Sequence, residues 1–157
     1  MDAIQIAPAR RGDAARLASM SRRLVEAGLE ACWTEDRVER ERKNPDSVVL
    51  TARVAGSIGG FAIMQYGDEA AHLSVLAVEP IHQRHGIGRK LVAWLEDTAR
   101  GAGVFCVRLE VRDTNHGARR FYTALGYAER GWVRGYYQAH EDALRFERDL
   151  RVRDASV

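Results

Sequence analysis

Cysteine is scarce in this chain: Cys32 and Cys106 are the only two, and neither belongs to a CxxC or Cys/His pattern. That excludes a disulfide scaffold and a thiolate zinc site. It leaves room for one bridge at most and favours two reduced thiols in a cytoplasmic protein. Proline occurs only at Pro8, Pro45 and Pro80, and no low-complexity linker or internal repeat divides the chain. No apolar run approaches the roughly 20 residues that cross a bilayer. The opening Met1-Asp2-Ala3-Ile4 has no basic segment leading into an apolar one, so no secretory signal is expected. An excess of one charge is missing too. Lys and Arg number 24 against 22 Asp and Glu, a net charge of +2, which argues against electrostatically driven nucleic-acid binding. A local basic patch matched to a phosphorylated ligand is compatible with that balance. His82, His85 and His116 have no carboxylate or cysteine spacing to complete a metal site. No Gly-x-Ser-x-Gly marks a serine hydrolase, and Cys106 reads as a buried strand residue.

What is present suffices for one folded unit. With 46% hydrophobic and 29% charged residues, residues 1–157 read as a single domain, its core about 3–150 and a short tail at 151–157. Ile4 and Ile6 alternate with polar neighbours as a first strand. Asp13 is placed to cap a helix whose apolar stripe is Leu17, Met20, Leu24 and Val25, with Gly28 ending it. Thr34 caps a second helix, and Asn44-Pro45-Asp46 breaks it. Residues 48–54 and 58–66 flank Ala55-Gly56-Ser57 as a hairpin. The apolar run from His72 stops at Glu79-Pro80. From Gly86 the period becomes helical through Ile87, Leu91, Trp94, Leu95 and Thr98, up to Gly101 and Gly103. Phe105, Val107, Leu109 and Val111 alternate as a strand. Asn115 opens a helix carrying Ala118, Phe121, Tyr122 and Leu125 on one face, ended by Gly126. Two further strands surround a loop near Ala139-His140-Glu141. Hairpins mixed with helices imply an α/β domain of the α+β kind, with a mixed rather than purely parallel sheet.

The most pointed local signal runs from Val78 to Arg89, where a strand ends at Pro80 and a loop carrying Gly86 and Gly88 enters an amphipathic helix. The first turn of a helix leaves N–H groups without partners, and with the helix dipole they suit a diphosphate. Arg84, Arg89 and Lys90 add cationic contacts. On spacing alone, the glycines fit a tight strand-to-helix turn equally well. The loop has no Gly-Lys-Ser/Thr ending and no GxGxxG, so it matches neither a Walker loop nor a dinucleotide fingerprint.

Gln83-x-x-Gly86-x-Gly88 after Val-x-Pro resembles motif A of the GNAT acetyltransferases. Leu109-Glu110-Val111-Arg112, Asn115, Ala118, Phe121-Tyr122 and Leu125-Gly126-Tyr127 extend the likeness. Arg134-Gly135-Tyr136-Tyr137 with Glu141-Asp142-Ala143 is similar to the tail of the RimI-type subfamily, which acetylates protein N-termini. The resemblance spans about Trp33 to Leu150. It implies the GNAT fold: a central, mostly antiparallel mixed sheet of about six to seven strands flanked by about four helices. It also implies acetyl-CoA as acetyl donor, with the backbone of Arg84, His85, Gly86, Ile87, Gly88 and Arg89 on the pyrophosphate. Leu76, Ala77 and Val78 would then pair with the pantetheine arm, and Asn115 would contact the coenzyme. By the same resemblance Glu110 is the general base, directly or through water, and Tyr122 the general acid.

The residues alone allow plainer roles. A strand glutamate serves as well in a surface ion pair, an aromatic pair on a helix serves as core, and Asn115 can simply cap its helix. The resemblance implies an N-acetyltransferase acting on a protein N-terminal α-amine, such as that of a ribosomal protein, by direct attack. The alternatives are a small amine (polyamine, amino sugar or amino acid) or a non-catalytic acyl-CoA binding module. Trp33, Tyr136 and Tyr137 are the acceptor-side candidates. The expected partners are the amine acceptor and, at most, a second copy of the chain. No metal, nucleic acid or membrane is expected.

Overall fold

Alternation and turn chemistry set out the chain in the order expected. The computed structural model describes residues 3–139 and 141–151. The order is β1 (Ile4–Pro8), α1 (Ala14–Leu24), α2 (Glu35–Lys43), β2 (Ser47–Val54), β3 (Ser57–Tyr66), β4 (Ala71–Val78) and a 3-10 turn at Pro80–His82. It continues with α3 (Ile87–Gly101), β5 (Cys106–Arg112), α4 (His116–Ala124), β6 (Ala128–Tyr137) and β7 (Glu141–Asp149). The strands form one sheet, β1-β2-β3-β4-β5-β7-β6. Every neighbouring pair is antiparallel except β4 and β5. Met1, Asp2, His140 and residues 152–157 lie outside the described residues, so the start of the chain, the loop centre at His140 and most of the expected tail fall there.

Local chemistry accounts for most boundaries. Ala55 and Gly56 both adopt positive φ, 51° and 83°, the backbone a two-residue hairpin turn requires. The Thr34 side chain accepts from the Arg37 N–H at 3.2 Å, and Asn115 Oδ1 accepts from Ala118 N–H at 3.1 Å, each capping its helix. Three expectations need correction. Asp13 stands before α1 but its carboxylate does not cap it; Oδ2 accepts from Arg10 N–H at 2.7 Å and from Arg53 Nη2 at 2.6 Å. Helix α1 ends at Leu24, short of Gly28. Phe105 precedes β5 and is exposed rather than part of its apolar face.

Two hydrophobic layers sandwich the sheet. Ile87, Leu91 and Leu95 of α3 and Tyr122 of α4 pack on one face against Leu73, Leu109 and Phe146. Leu17 and Met20 of α1, with Trp33 and Val38, cover the other against Phe61, Ile63, Val75 and Ala77. A bulge in β4 sets which side chains go where. Ile63 pairs with Val75 and Met64 with Leu73, leaving Ser74 as the extra residue. Before it the odd-numbered residues Ala71 and Leu73 face α3; after it Val75 and Ala77 face α1.

One polar group is buried within the α3 layer. Glu96 accepts from Tyr127 Oη at 2.9 Å and from Arg148 Nη1 at 3.0 and 2.9 Å. Removing the carboxylate takes this ion pair from the half-buried Arg148 and the hydrogen-bond acceptor from the buried Tyr127 phenol. Glu96→Ala is expected to destabilise by roughly 3 kcal/mol or more, read from the urea midpoint at unchanged slope.

Candidate active site

The parallel contact of β4 with β5 extends over only Ala71↔Val107 and His72↔Arg108. Beyond it the strands diverge, while β4 stays paired to β3 as far as Val78. The opening is a cavity of about 150 Å³. It is lined from the α4 side by Asn115, Ala118 and Tyr122, and from the α1 side by Leu24 and Val25. Leu73 to Leu76, Leu109 to Arg112, Tyr136 and Tyr137 complete the wall. Both layers thus reach one space through the middle of the sheet, and the Ser74 bulge lies at its edge.

Strand alternation sends Val107, Leu109 and Val111 into the α3 layer, so Glu110 projects toward α1. Its Oε2 lies 2.5 Å from His72 Nε2, and its Oε1 accepts from Arg145 Nε at 3.3 Å. His72 Nδ1 lies 3.0 Å from Ser74 Oγ, which donates to Gln65 Oε1 at 3.1 Å. Tyr136 Oη approaches Glu110 Oε2 at 3.5 Å. Burial alone would push the Glu110 carboxyl up; the hydrogen bonds and charges of His72 and Arg145 together outweigh it and hold it below the ordinary carboxylate value. The carboxylate is therefore ionised and tightly held. On the other side of the cavity, burial foremost and Tyr137 next push the Tyr122 phenol well above its usual value, so it stays protonated. The Glu110–His72 pair and the Tyr122 phenol face one small space from opposite sides of the sheet.

At the C-terminal end of β4, Gln83 Nε2 donates to the Val78 carbonyl at 3.1 Å. Gln83 N–H bonds to Pro80 O and Lys90 N–H to Gly86 O. Among the described residues, the N–H groups of residues 84–89 between them have no protein acceptor. Arg84 (φ 66°) and Gly86 (φ 81°) are left-handed, and such alternation curls successive N–H groups toward one side as an anion cradle. Gly88 is there for a different reason, since a Cβ at that position would stand 3.0 Å from the Phe121 ring. Gly60 likewise lets Ile87 rest on β3, where a Cβ would meet Ile87 Cγ2 at 3.0 Å. Ile87 itself is buried, so only its backbone faces the loop, whereas Arg84, His85, Arg89 and Lys90 are exposed.

Of the residues singled out from sequence, Leu76, Glu110, Asn115, Tyr122, Tyr136 and Tyr137 come together around the cavity. Ala77 and Val78 continue β4 from it to the loop of residues 84–89. Trp33 does not join them; it is 7% exposed in the α1 layer with the Arg37 guanidinium 3.8 Å over its ring. Sequence reasoning misses His72, Ser74, Arg112 and Arg145 as site residues. A signal for the first two exists, as polar residues at alternate positions of an otherwise apolar strand. Among the described residues no group of three or more His, Cys, Asp or Glu could hold a metal ion. Both cysteines are free, and among the described residues no helix is long and apolar enough to cross a membrane.

Known proteins resemble this chain in sequence and in fold. N-alpha-acetyltransferase RimI of Mycobacterium tuberculosis is 33% identical over 144 residues, 88% of each chain. The ribosomal protein bS18-alanine N-acetyltransferase of Salmonella typhimurium is 41% identical over 90 residues, 55% of this chain. That match spans 61% of the Salmonella protein's length. The crystal structure of the Escherichia coli ribosomal-protein-S18-alanine N-acetyltransferase superposes with a TM-score of 0.82 at 26% identity, over 99% of both chains. The profile of the acetyltransferase (GNAT) family matches residues 17–127, well over half of the sequence, and the chain belongs to that family.

Proposed function

We propose that this protein transfers the acetyl group of acetyl-CoA to the N-terminal α-amine of a protein chain. The observation that carries the reading is the cavity through the sheet, with Glu110 and His72 on its α1 side and Tyr122 on its α4 side. The amide row of residues 84–89, with Arg84 and Arg89, suits the pyrophosphate. The unpaired edge of β4 at Leu76, Ala77 and Val78 suits the amides of the pantetheine arm. Asn115 lines the same space while capping α4.

In this assignment Glu110 and His72 draw the acceptor ammonium to the cavity and remove its proton. The free nitrogen forms a bond to the thioester carbonyl carbon as the carbon–sulfur bond breaks. Tyr122 gives its proton to the departing thiolate. Tyr136 and Tyr137 line the acceptor side. The similarity to bS18-alanine acetyltransferases makes a ribosomal-protein N-terminus a fitting acceptor.

The test is to incubate the protein and acetyl-CoA with a panel of N-terminal peptides and of small amines, reading free thiol. Turnover of peptides is expected. Turnover confined to polyamines, amino sugars or free amino acids would overturn the acceptor assignment. Gly86→Val tests the coenzyme cradle: a β-branched residue at φ 81° is strained, although no atom lies within 4 Å of the added Cβ. Binding of acetyl-CoA by calorimetry is expected to be lost while the domain stays folded by circular dichroism. Unchanged affinity would remove the loop from the site.

A further inference from the structure

Resting on the acetyltransferase reading, we propose that Glu41 of α2 is a positioning residue for the proton transfer, although it lines no part of the cavity. Acting through Gln65 and Ser74, it keeps a proton on His72 Nδ1 and leaves Nε2, the nitrogen against Glu110, as the one that gains and loses a proton. One continuous chain of hydrogen bonds runs from α2 through β3 and β4 to β5. Glu41 Oε2 accepts from Ser47 Oγ, and its Oε1 accepts from Gln65 Nε2 at 3.3 Å. Gln65 Oε1 accepts from Ser74 Oγ at 3.1 Å, and Ser74 Oγ lies 3.0 Å from His72 Nδ1. His72 Nε2 closes the chain on Glu110 Oε2 at 2.5 Å. Gln65 stands opposite His72 in the β3–β4 register, and Glu41, Gln65, His72 and Ser74 are all partly buried.

The polarity of the chain follows from its far end. A carboxylate oxygen only accepts, so the Gln65 amide turns its NH2 toward Glu41 and its carbonyl toward Ser74. The Ser74 hydroxyl gives its one proton to that carbonyl, so its oxygen meets His72 as an acceptor and Nδ1 donates. Glu110 pulls the other way, because a carboxylate favours the imidazole proton on the nearer Nε2. Arg145 at 3.3 Å from Oε1 and Tyr136 Oη at 3.5 Å from Oε2 temper that pull. Placing the only imidazole proton on Nε2 sets the Nδ1 lone pair against the Ser74 oxygen, or turns the hydroxyl away from Gln65. Either change loses one hydrogen bond, a factor of about five in an equilibrium. An Nε2 that already carries a proton has no lone pair for another. With the proton held on Nδ1, the N–H bond broken on the acceptor ammonium is replaced by one at Nε2. The imidazolium formed donates to Ser74 from one side and to Glu110 from the other.

Nitrogen-15 chemical shifts of the His72 ring, assigned against His72→Gln, read the tautomer of the neutral imidazole without turnover. The Nδ1–H form is expected to predominate in the unaltered protein. In Glu41→Leu, and separately in Gln65→Met, the tautomer ratio should move about fivefold toward Nε2–H. Near neutral pH, kcat/KM should fall by about two- to fivefold in both variants, with acetyl-CoA affinity unchanged and the deficit closing at alkaline pH. In a His72→Gln background, Glu41→Leu should cost nothing further, which a merely structural role of the α2 contact does not predict. Gln65→Met keeps the bond between Glu41 and Ser47, so it decides the matter if Glu41→Leu loosens α2. A neutral His72 with its proton on Nε2 in the unaltered protein would overturn the proposal, as would a Glu41→Leu deficit that persists in His72→Gln. Failure of the unaltered protein to acetylate any amine defeats the underlying reading instead, and leaves the tautomer result standing.

Discussion

Tyr122→Phe is expected to bind acetyl-CoA as the parent does and to turn over about 10²–10⁴-fold more slowly, the range general acid catalysis contributes. The expectation separates two roles that one ring can hold. Tyr122 packs edge-on to Phe121 at 5.0 Å and to Tyr127 at 5.6 Å, and lies tilted against Phe146 at 6.2 Å. Phenylalanine preserves those contacts, so stability and the shape of the cavity should change little. What is lost is the phenolic proton, which burial keeps on the oxygen far beyond neutral pH. Calorimetric titration with acetyl-CoA beside steady-state turnover makes the distinction. Wild-type turnover in the Phe variant would reduce Tyr122 to a core aromatic.

Glu110→Gln should lower kcat/KM by about 10²-fold near neutral pH, and the deficit should shrink as the solution becomes alkaline. The carboxyl sits below its usual value because His72 and Arg145 outweigh its burial. It is thus ionised throughout the working range, and direct capture of an ammonium proton by it alone runs uphill. The 2.5 Å contact with His72 resolves the difficulty: a neutral imidazole can take the proton while the ionised Glu110 stabilises the imidazolium formed. Once the acceptor arrives deprotonated, that service is not required. An α-amine, with a reference value of about 8, reaches this condition well before a lysine-like amine at about 10.4. His72→Gln should show the same recovery. A deficit constant from neutral to alkaline pH would mean that Glu110 orients the acceptor without removing its proton.

Why some of this is legible in the sequence and some is not follows from the range of the interactions. Thr34, Asn115 and the Ala55-Gly56 turn act within three residues, and each does what its local pattern implies. Asp13 has the right residue type for a cap, but Arg53, 40 positions away, draws its carboxylate elsewhere. Glu110 and His72 are 38 positions apart and meet only because β4 and β5 are parallel where they begin. The Ser74 bulge has no compositional mark, yet it decides that His72 and Val75 share a face. Gly86 and Gly88 look alike in sequence and differ in purpose: one needs its left-handed backbone, the other the room taken by Phe121. Trp33 reads as an acceptor-side aromatic in sequence, whereas in the fold it is buried with Leu17, Met20 and Phe61 in the α1 layer.

The diverging strands leave a sheet with an edge in its interior. Where β4 turns away from β5, every second backbone group between Leu73 and Val78 points across the cavity and not to a neighbouring strand. A ligand that lies along this edge serves as a temporary eighth strand, so occupancy and folding are thermodynamically linked. Saturation at 100 times the dissociation constant would add about 2.7 kcal/mol to stability. Amide hydrogen exchange offers a direct view of that linkage. The outward-facing amides of β4 should exchange quickly alone and slowly with coenzyme bound, while their alternates, bonded to β3, stay protected in both states.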